Sequence, residues 1–258
     1  MKTIPRTLNY YAQIFYLTDC VSNWPSIVLS RFFPFRNYRL RLRTGQIFEI
    51  NHFLSALTIK EVFFDNDYRP NAKNAQTIVD IGANIGTCSV FMSSIFPKAK
   101  IYALEPDPRT FQRLKTNKEL NHCTNVTLIN QAISNKSGST TFYSCQANGL
   151  SSICKTRLPY RVTKTRVQLT TVPDLMKLYR LKQIDILKID AEGAEFDILL
   201  KTPRFPFGAI KEIILEYHDR LTPHHHEEII TRLHQAGYKL VTRPHPLEDN
   251  IGIIHAYQ

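Results

Sequence analysis

Apolar positions along this chain fall into two regimes. Up to about residue 70 they cluster around aromatics. From Thr77 onward, short apolar runs alternate with stretches of helical period. In RNYRLRLRTGQIFEIN, Tyr38, Leu40 and Leu42 alternate with Arg39, Arg41 and Arg43, the period-2 signature of a strand. Thr44-Gly45-Gln46 then turns the chain into Ile47 to Ile50, so a hairpin is expected. A short helix from Leu54 to Phe64 should follow. The polar stretch 65–76, with Pro70 and three asparagines, reads as a connector.

Beyond the connector the pattern predicts a strand at 77–81, a helix at 87–96 stopped before Pro97, and a strand at 99–104. A helix follows over 107–121 with Pro108 in its first turn, then a strand at 126–130. Short strands are expected at 139–143 and 166–170, and a helix at 172–181. Apolar strands at 184–190 and 212–217 flank a helix beginning near Ala194. A helix over 223–236, ended by Gly237, leads to a closing antiparallel pair at 238–242 and 251–256. Strands alternating with helices imply an α/β fold, a Rossmann-like, doubly wound and mostly parallel sheet. The expected division is an N-terminal helical and hairpin appendage over 1–70 and a cofactor-binding domain over 71–258. Ligands in such sheets sit outside the carboxyl ends of the strands.

Composition narrows the classes. The 258 residues carry 33 Lys and Arg against 22 Asp and Glu, a formal charge of +11. That surplus suits acidic partners without choosing among nucleic acid, nucleotide-linked substrates and anionic membrane surfaces, and it serves equally to keep a soluble protein apart by charge. The five cysteines are scattered and never form a CxxC pair, which argues against a disulfide frame or a zinc site and for a reducing, cytoplasmic setting. No run of about 18 apolar residues is present to span a bilayer, and residues 1–16 lack the apolar core of a signal peptide.

The stretch VDIGANIGT (Val79 to Thr87) follows a strand and opens a helix, the context in which glycines carry meaning. Gly82 suits a sharp turn and Gly86 a close approach of the helix start to a ligand. Asn84 is among the few non-glycine types that tolerate positive φ, and its amide adds a donor and an acceptor. The spacing fits neither the dinucleotide GxGxxG nor a P-loop, which needs Lys-Ser or Lys-Thr at its end. Glu105 closes the next strand, where an acidic residue commonly accepts a ribose diol. A nucleoside cofactor without a pyrophosphate is implied, and S-adenosylmethionine answers that description. The bland alternative for Glu105 is a helix-terminus charge.

DIGANIG, ALEPDP, NQAIS (Asn130–Ser134), TVPDLM (Thr171–Met176) and LKIDAEGAE (Leu187–Glu195), in that order and spacing, resemble FkbM-type S-adenosylmethionine-dependent methyltransferases. The resemblance spans roughly residues 39–214. It implies a class I methyltransferase type of domain and O-methylation of a sugar or natural-product hydroxyl. It further implies that Asp80 and Asn84 lie by the methionine moiety, Glu105 on the ribose, and Gln131 and Ala132 near the adenine.

Methyl transfer to a hydroxyl needs alignment and removal of one proton. Candidates for that chemistry gather at two strand ends. Lys188 and Asp190 share a strand face, with Glu192 in the loop after it and Gly193 permitting the turn. Glu216 and His218 share a face at the next strand's end. Asp190, Glu192 and His218 are the catalytic candidates, with Asp190 also a candidate for the cofactor's amine. Lys188 in an apolar strand must be ion-paired. Glu195 and Asp197 read as helix-start charges without a chemical role. A divalent metal held by these carboxylates is a minority reading that no spacing demands, and no metal is expected.

His224-His225-His226 reads as a solvated helix start, Arg39, Arg41 and Arg43 as a solvated edge face or a dock for an anionic acceptor, and Ser151 and Ser152 as turn or acceptor-side residues. The resulting expectation is an O-methyltransferase for a small-molecule or glycan hydroxyl. One rival is a nucleic-acid methyltransferase, weakened because the basic residues lack interleaved base-stacking aromatics. The other is a non-catalytic binding module on the same fold.

Overall fold

In the computed structural model, residues 17–33, 36–51, 53–145, 151–152, 162–245, 248 and 250–258 are described. The expectation for the first 16 residues lies outside them. A central seven-stranded sheet is assembled from β3 (Thr77–Ile81), β4 (Lys100–Leu104), β5 (Val126–Ile129), β10 (Ile184–Ile189), β11 (Ile210–His218), β12 (Lys239–Pro244) and β13 (Ile251–Tyr257). Their spatial order is β12-β13-β11-β10-β3-β4-β5. The five strands from β11 to β5 are mutually parallel; β13 runs antiparallel to both β11 and β12. Strand order reverses between β3 and β10, which opens a crevice at their carboxyl ends.

Helices cover both faces. On one lie α2 (Leu54–Phe63), α3 (Thr87–Ile95) and α4 (Pro108–Leu120), whose apolar side chains merge with Ile78, Ile101, Ile186 and Ile214. On the other lie α5 (Val172–Leu178), the short α6 (Ala194–Phe196) and α7 (His226–Gln235), packed on Val79, Leu104, Leu187, Ile189 and Leu215. β10 is buried at every position, as a strand covered on both faces must be.

The N-terminal hairpin forms as its alternation predicts, β1 (Tyr38–Arg41) pairing antiparallel with β2 (Ile47–Ile50). Leu40 and Phe48 are fully buried, whereas Arg39, Arg41 and Arg43 are exposed. Helix α1 (Pro25–Phe32) packs beside it. The hairpin and α2 share one core with the sheet, because Phe48, Ile50, Ile59 and Val62 join the cluster that contains Ile78 and Phe91. Polar staples add to this: Asn121 and Asn117 Oδ1 accept from the Ile47 and Glu49 amides at 2.9 and 2.6 Å. The connector is equally fastened. Glu212 accepts from the Asn71 and Ala72 amides, and Asp185 from those of Gln76 and Thr77.

Two regions depart from the sequence pattern. The strands foreseen at 139–143 and 166–170 are longer, β7 (Gly138–Cys145) and β9 (Val162–Thr170), and leave the main sheet. With β6 (Ala132–Ile133) and β8 (Ser151–Ser152) they form a second sheet of order β6-β9-β7-β8. Eight register pairs along β7 and β9 make the partner non-local, which a one-strand pattern does not encode. The last helix begins at His226 instead of 223, because Glu228 reaches back to the His225 amide at 3.1 Å and ends the helix there.

Candidate active site

The glycine loop joins β3 to α3. Gly82 (φ +72) and Gly86 (φ +92) both occupy the left-handed region. A Cβ on Gly82 would lie 1.7 Å from the Asp190 carbonyl oxygen, so this glycine lets the β3 and β10 ends press together. Gly86 has a different reason from the expected close ligand approach: its Cβ would meet Leu114 Cδ1 at 2.6 Å, so the close neighbour is helix α4. Asn84 takes φ +50 as its residue type allows, and it is exposed. Asn117, fully buried on α4, donates to the Ile85 carbonyl at 2.8 Å and so ties the loop to the hairpin it also holds.

Beneath the loop sits Lys188, 3% exposed. Its ammonium lies 3.1 Å from Asp80 and 3.7 Å from Asp190, and donates to the Gly82 carbonyl at 2.8 Å. Burial alone would lower the Lys188 pKa, but the charges of Asp80 and Asp190 outweigh it and hold the pKa above its ordinary value. Asp80 is fully buried, also accepts from Ser89 at 2.6 Å, and does not line the cleft. Its carboxylate therefore supports the loop from behind instead of facing a ligand. Asp80 and Gly86 are the two nominated cofactor residues that the structure places outside the cleft wall.

The other nominated residues converge. Gly82, Asn84, Glu105, Gln131, Ala132, Asp190 and Glu192 line one cleft, about 650 Å³ with its open mouth included, at the carboxyl ends of β3, β4 and β10. Leu104, Ile133 and Phe142 supply apolar walls, and Thr110 a hydroxyl. Phe142 comes from the second sheet, which is why the pattern of the central sheet did not point to it. Glu105 is 6% exposed; its two oxygens accept the Asn84 and Asp107 amides, each at 2.9 Å. Burial pushes its pKa up to about 8 against the pull of those amides. Each carboxylate oxygen has two lone pairs, so one on each remains for a further donor. Asn130 fixes the turn by donating to the Glu105 carbonyl at 2.8 Å.

The second constellation closes the rim. Single ligand-type atoms of Asp190, Glu192 and His218 all lie within 4.8 Å of one another, compact enough to hold a proton or to suit a divalent cation. Glu192 adopts φ +49, in the left-handed region. Its carboxylate is 3.7 Å from His218 Nε2, while His218 Nδ1 faces Glu195 at 3.1 Å. Glu195 is fully buried, and its second oxygen accepts the Gly193 amide at 2.8 Å. The reading of Glu195 as a mere helix-start charge is corrected here: it orients a histidine. Glu195 stands two residues past Gly193, and accepting that glycine's amide holds it under the loop and not on its surface.

Burial would lower the His218 pKa, but the hydrogen bond and charge of Glu195, with Glu192 beyond, hold it well above the ordinary range. Burial raises Glu192 to about 8, His218 opposing and Asp190 adding to the rise. Glu216, raised to about 7 by burial and by Asp190, also accepts a hydrogen bond from the buried Tyr68 hydroxyl. Tyr68 was not foreseen: it lies in the connector, yet reaches across 148 positions to the rim.

The His224–His226 run is a paired helix start. His226 bonds Asp219 at 2.7 Å and stacks on Tyr217 at 4.1 Å, and His224 bonds Glu228 at 3.0 Å. Ser151 and Ser152 contribute backbone to β8; their side chains lie outside the described residues.

A mostly parallel sheet with this strand order, a glycine turn after its first strand and an acidic residue ending the second, defines a class I methyltransferase. Residues 80–240 match the family model described as the methyltransferase FkbM domain, and the chain belongs to that family. It is 28% identical over 187 residues to methyltransferase sdnD of Sordaria araneosa, covering 61% of this chain and 72% of that one. It is 25% identical over 199 residues to the hexuronic acid methyltransferase AglP of Haloferax volcanii, covering 70% and 78%. The crystal structure of the FkbM methyltransferase of Methylobacillus flagellatus superposes with a TM-score of 0.51 at 14% identity, covering 77% of this chain and 48% of that one, which supports the fold. Among the described residues, no helix is long and apolar enough to cross a membrane.

Proposed function

We propose that the protein transfers a methyl group from S-adenosylmethionine to a hydroxyl of a sugar or small natural product. The supporting observation is that the cleft with Glu105 at one side opens directly onto the Asp190–Glu192–His218 rim. The residues fit the cofactor: Glu105 keeps free acceptor capacity for a diol, the apolar Leu104, Ile133 and Phe142 suit a flat base, and Asp190 suits an ammonium group. When bound, the cofactor supplies the activated methyl on its sulfonium.

The chain's own residues would then align the acceptor hydroxyl and take its proton. His218, held protonated by Glu195, is a donor and a counter-charge in this reading. Glu192 is the proton acceptor, since burial tunes it close to neutral pH and His218 keeps part of its ionised form available. Asp190 positions, and Glu216 with Tyr68 shapes the acceptor side. The similarity to AglP, a hexuronic acid methyltransferase, supports a sugar acceptor.

Calorimetric titration of S-adenosylmethionine into the protein, followed by transfer of labelled methyl into glycan and small-molecule extracts, tests this. Glu192→Gln should retain cofactor binding and lose transfer by roughly 10²-fold or more, with no effect of a chelator on the wild type. Unchanged transfer by Glu192→Gln, or label entering RNA instead, would overturn the assignment.

A further inference from the structure

Helix α1 and the adjoining hairpin make a surface that the methyl-transfer chemistry does not use. Trp24, Val28, Leu29, Phe32 and Phe33 are 43%, 37%, 47%, 72% and 53% exposed, and they recur at the spacing of one helix face. The opposite face is anchored: Ile27 and Ser30 are buried, and the Tyr38 hydroxyl donates to the Leu29 and Phe33 carbonyls. The apolar stripe is therefore held outward on a fixed helix. Exposed large apolar side chains gathered in one patch mark an interaction site.

Basic residues follow the stripe along the chain. Between residues 20 and 48 the chain has five arginines, Arg31, Arg36, Arg39, Arg41 and Arg43, and no acidic residue. Arg36 stacks over the Phe33 ring at 5.8 Å, which makes the basic and apolar zones continuous. Arg39, Arg41 and Arg43 are exposed, and none forms an ion pair with a described residue. The hairpin's one acid, Glu49, lies opposite Arg39 in register and in the field of Arg113. Asn23 binds β1 to the helix start, accepting from the Arg41 amide at 2.8 Å and donating to the Arg39 carbonyl at 2.6 Å. Helix and arginine strip thus move as one unit.

We propose that this unit docks the enzyme on an anionic lipid surface, the aromatic stripe entering the headgroup boundary and the arginines lying over lipid phosphates. Tryptophan, tyrosine and arginine are the residue types that favour that interface. Against RNA stand Val28 and Leu29, exposed aliphatic side chains that offer a base no stacking face, and against a purely apolar partner stand the arginines. Docking would place the enzyme beside acceptors presented on lipid, while the seven-stranded domain stays in water.

Trp24 is the chain's one tryptophan, so its emission reports on the patch directly. The full chain is mixed with vesicles of phosphatidylcholine and phosphatidylglycerol, and with phosphatidylcholine alone, at low and at about 0.15 M salt. The expected result is a blue shift and co-sedimentation with anionic vesicles that weaken with salt and with loss of anionic lipid. Leu29→Ser with Phe32→Ser should abolish the shift. Arg39→Glu with Arg41→Glu should weaken binding by roughly tenfold or more. All four positions are exposed, and unchanged circular dichroism and cofactor titration in both variants confirm that folding and the methyl-transfer site are intact. Absence of a shift with anionic vesicles would overturn the proposal. So would binding that ignores the Leu29 and Phe32 changes, a dimer in sedimentation that buries Trp24 without lipid, or tighter binding of RNA than of vesicles.

Discussion

Removing the Lys188 ammonium is the sharpest test of how the site is held. Lys188→Met keeps the length of the side chain and deletes its charge, leaving Asp80 fully buried with only Ser89 as partner. Breaking a buried pair by deleting one member costs roughly 3–5 kcal/mol, because the surviving charge is desolvated without compensation. A domain's entire stability is about 5–15 kcal/mol, so roughly a fifth or more is at stake. At about 2–4 °C per kcal/mol for a chain of this size, the midpoint should fall by roughly 6–20 °C. Urea unfolding with an unchanged slope is the assay. Asp80→Asn combined with Lys188→Met should recover at least about 1 kcal/mol of that loss, since the orphan charge is then gone. The Lys188 pKa is raised above its unfolded 10.5, so its stabilisation is fully present below that pH and is lost only above it. The wild-type contribution of the Lys188 titration should therefore be constant from pH 6 to 9. Because Lys188 also grips the Gly82 carbonyl, cofactor affinity should fall with stability. A loss under about 1 kcal/mol, or strict additivity in the double variant, would refute the reasoning.

Three further outcomes are expected. Glu195→Gln removes the charge that raises the His218 pKa; since a raised histidine stabilises below about pH 6.5 and loses that contribution as pH climbs through its folded value, the variant should be roughly 1.5–3 kcal/mol less stable at pH 6. The deficit should shrink at alkaline pH, and the His218 titration followed by NMR should shift downward. Glu105→Gln should flatten the pH dependence of stability: burial raises the acid from 4.5 to about 8, so the wild type loses stability between those values as pH rises and the amide cannot. The same change should weaken S-adenosylmethionine binding in calorimetry by about tenfold, of the order of one hydrogen bond. Gly82→Ala must force a Cβ into the Asp190 carbonyl at φ +72, and should cost about 2–5 kcal/mol in urea unfolding.

Much of this molecule could be read from the chain alone, for a definite reason. Strand and helix periods are local, so the alternation from Thr77 onward, the hairpin at 38–50 and the glycine turn with Asn84 were all legible where they stand. Period-2 placement likewise put Lys188 with Asp190 on one face of their strand, and Glu216 with His218 on one face of theirs, before their neighbours were known. What the sequence could not supply were contacts whose partners lie far along it. The second sheet needed β7 and β9 to find each other. Phe142 reached the cleft only through that sheet, and Tyr68 met Glu216 only because the connector folds back over β11. Burial was the other missing quantity. Asp80 and Glu195 look in sequence like residues facing ligand and solvent respectively, yet both are fully enclosed, and enclosure turns one into the counter-charge of Lys188 and the other into the residue that orients His218. Residue type set what each group can do; only the packed sheet decided which of them face the cleft and which hold it in place.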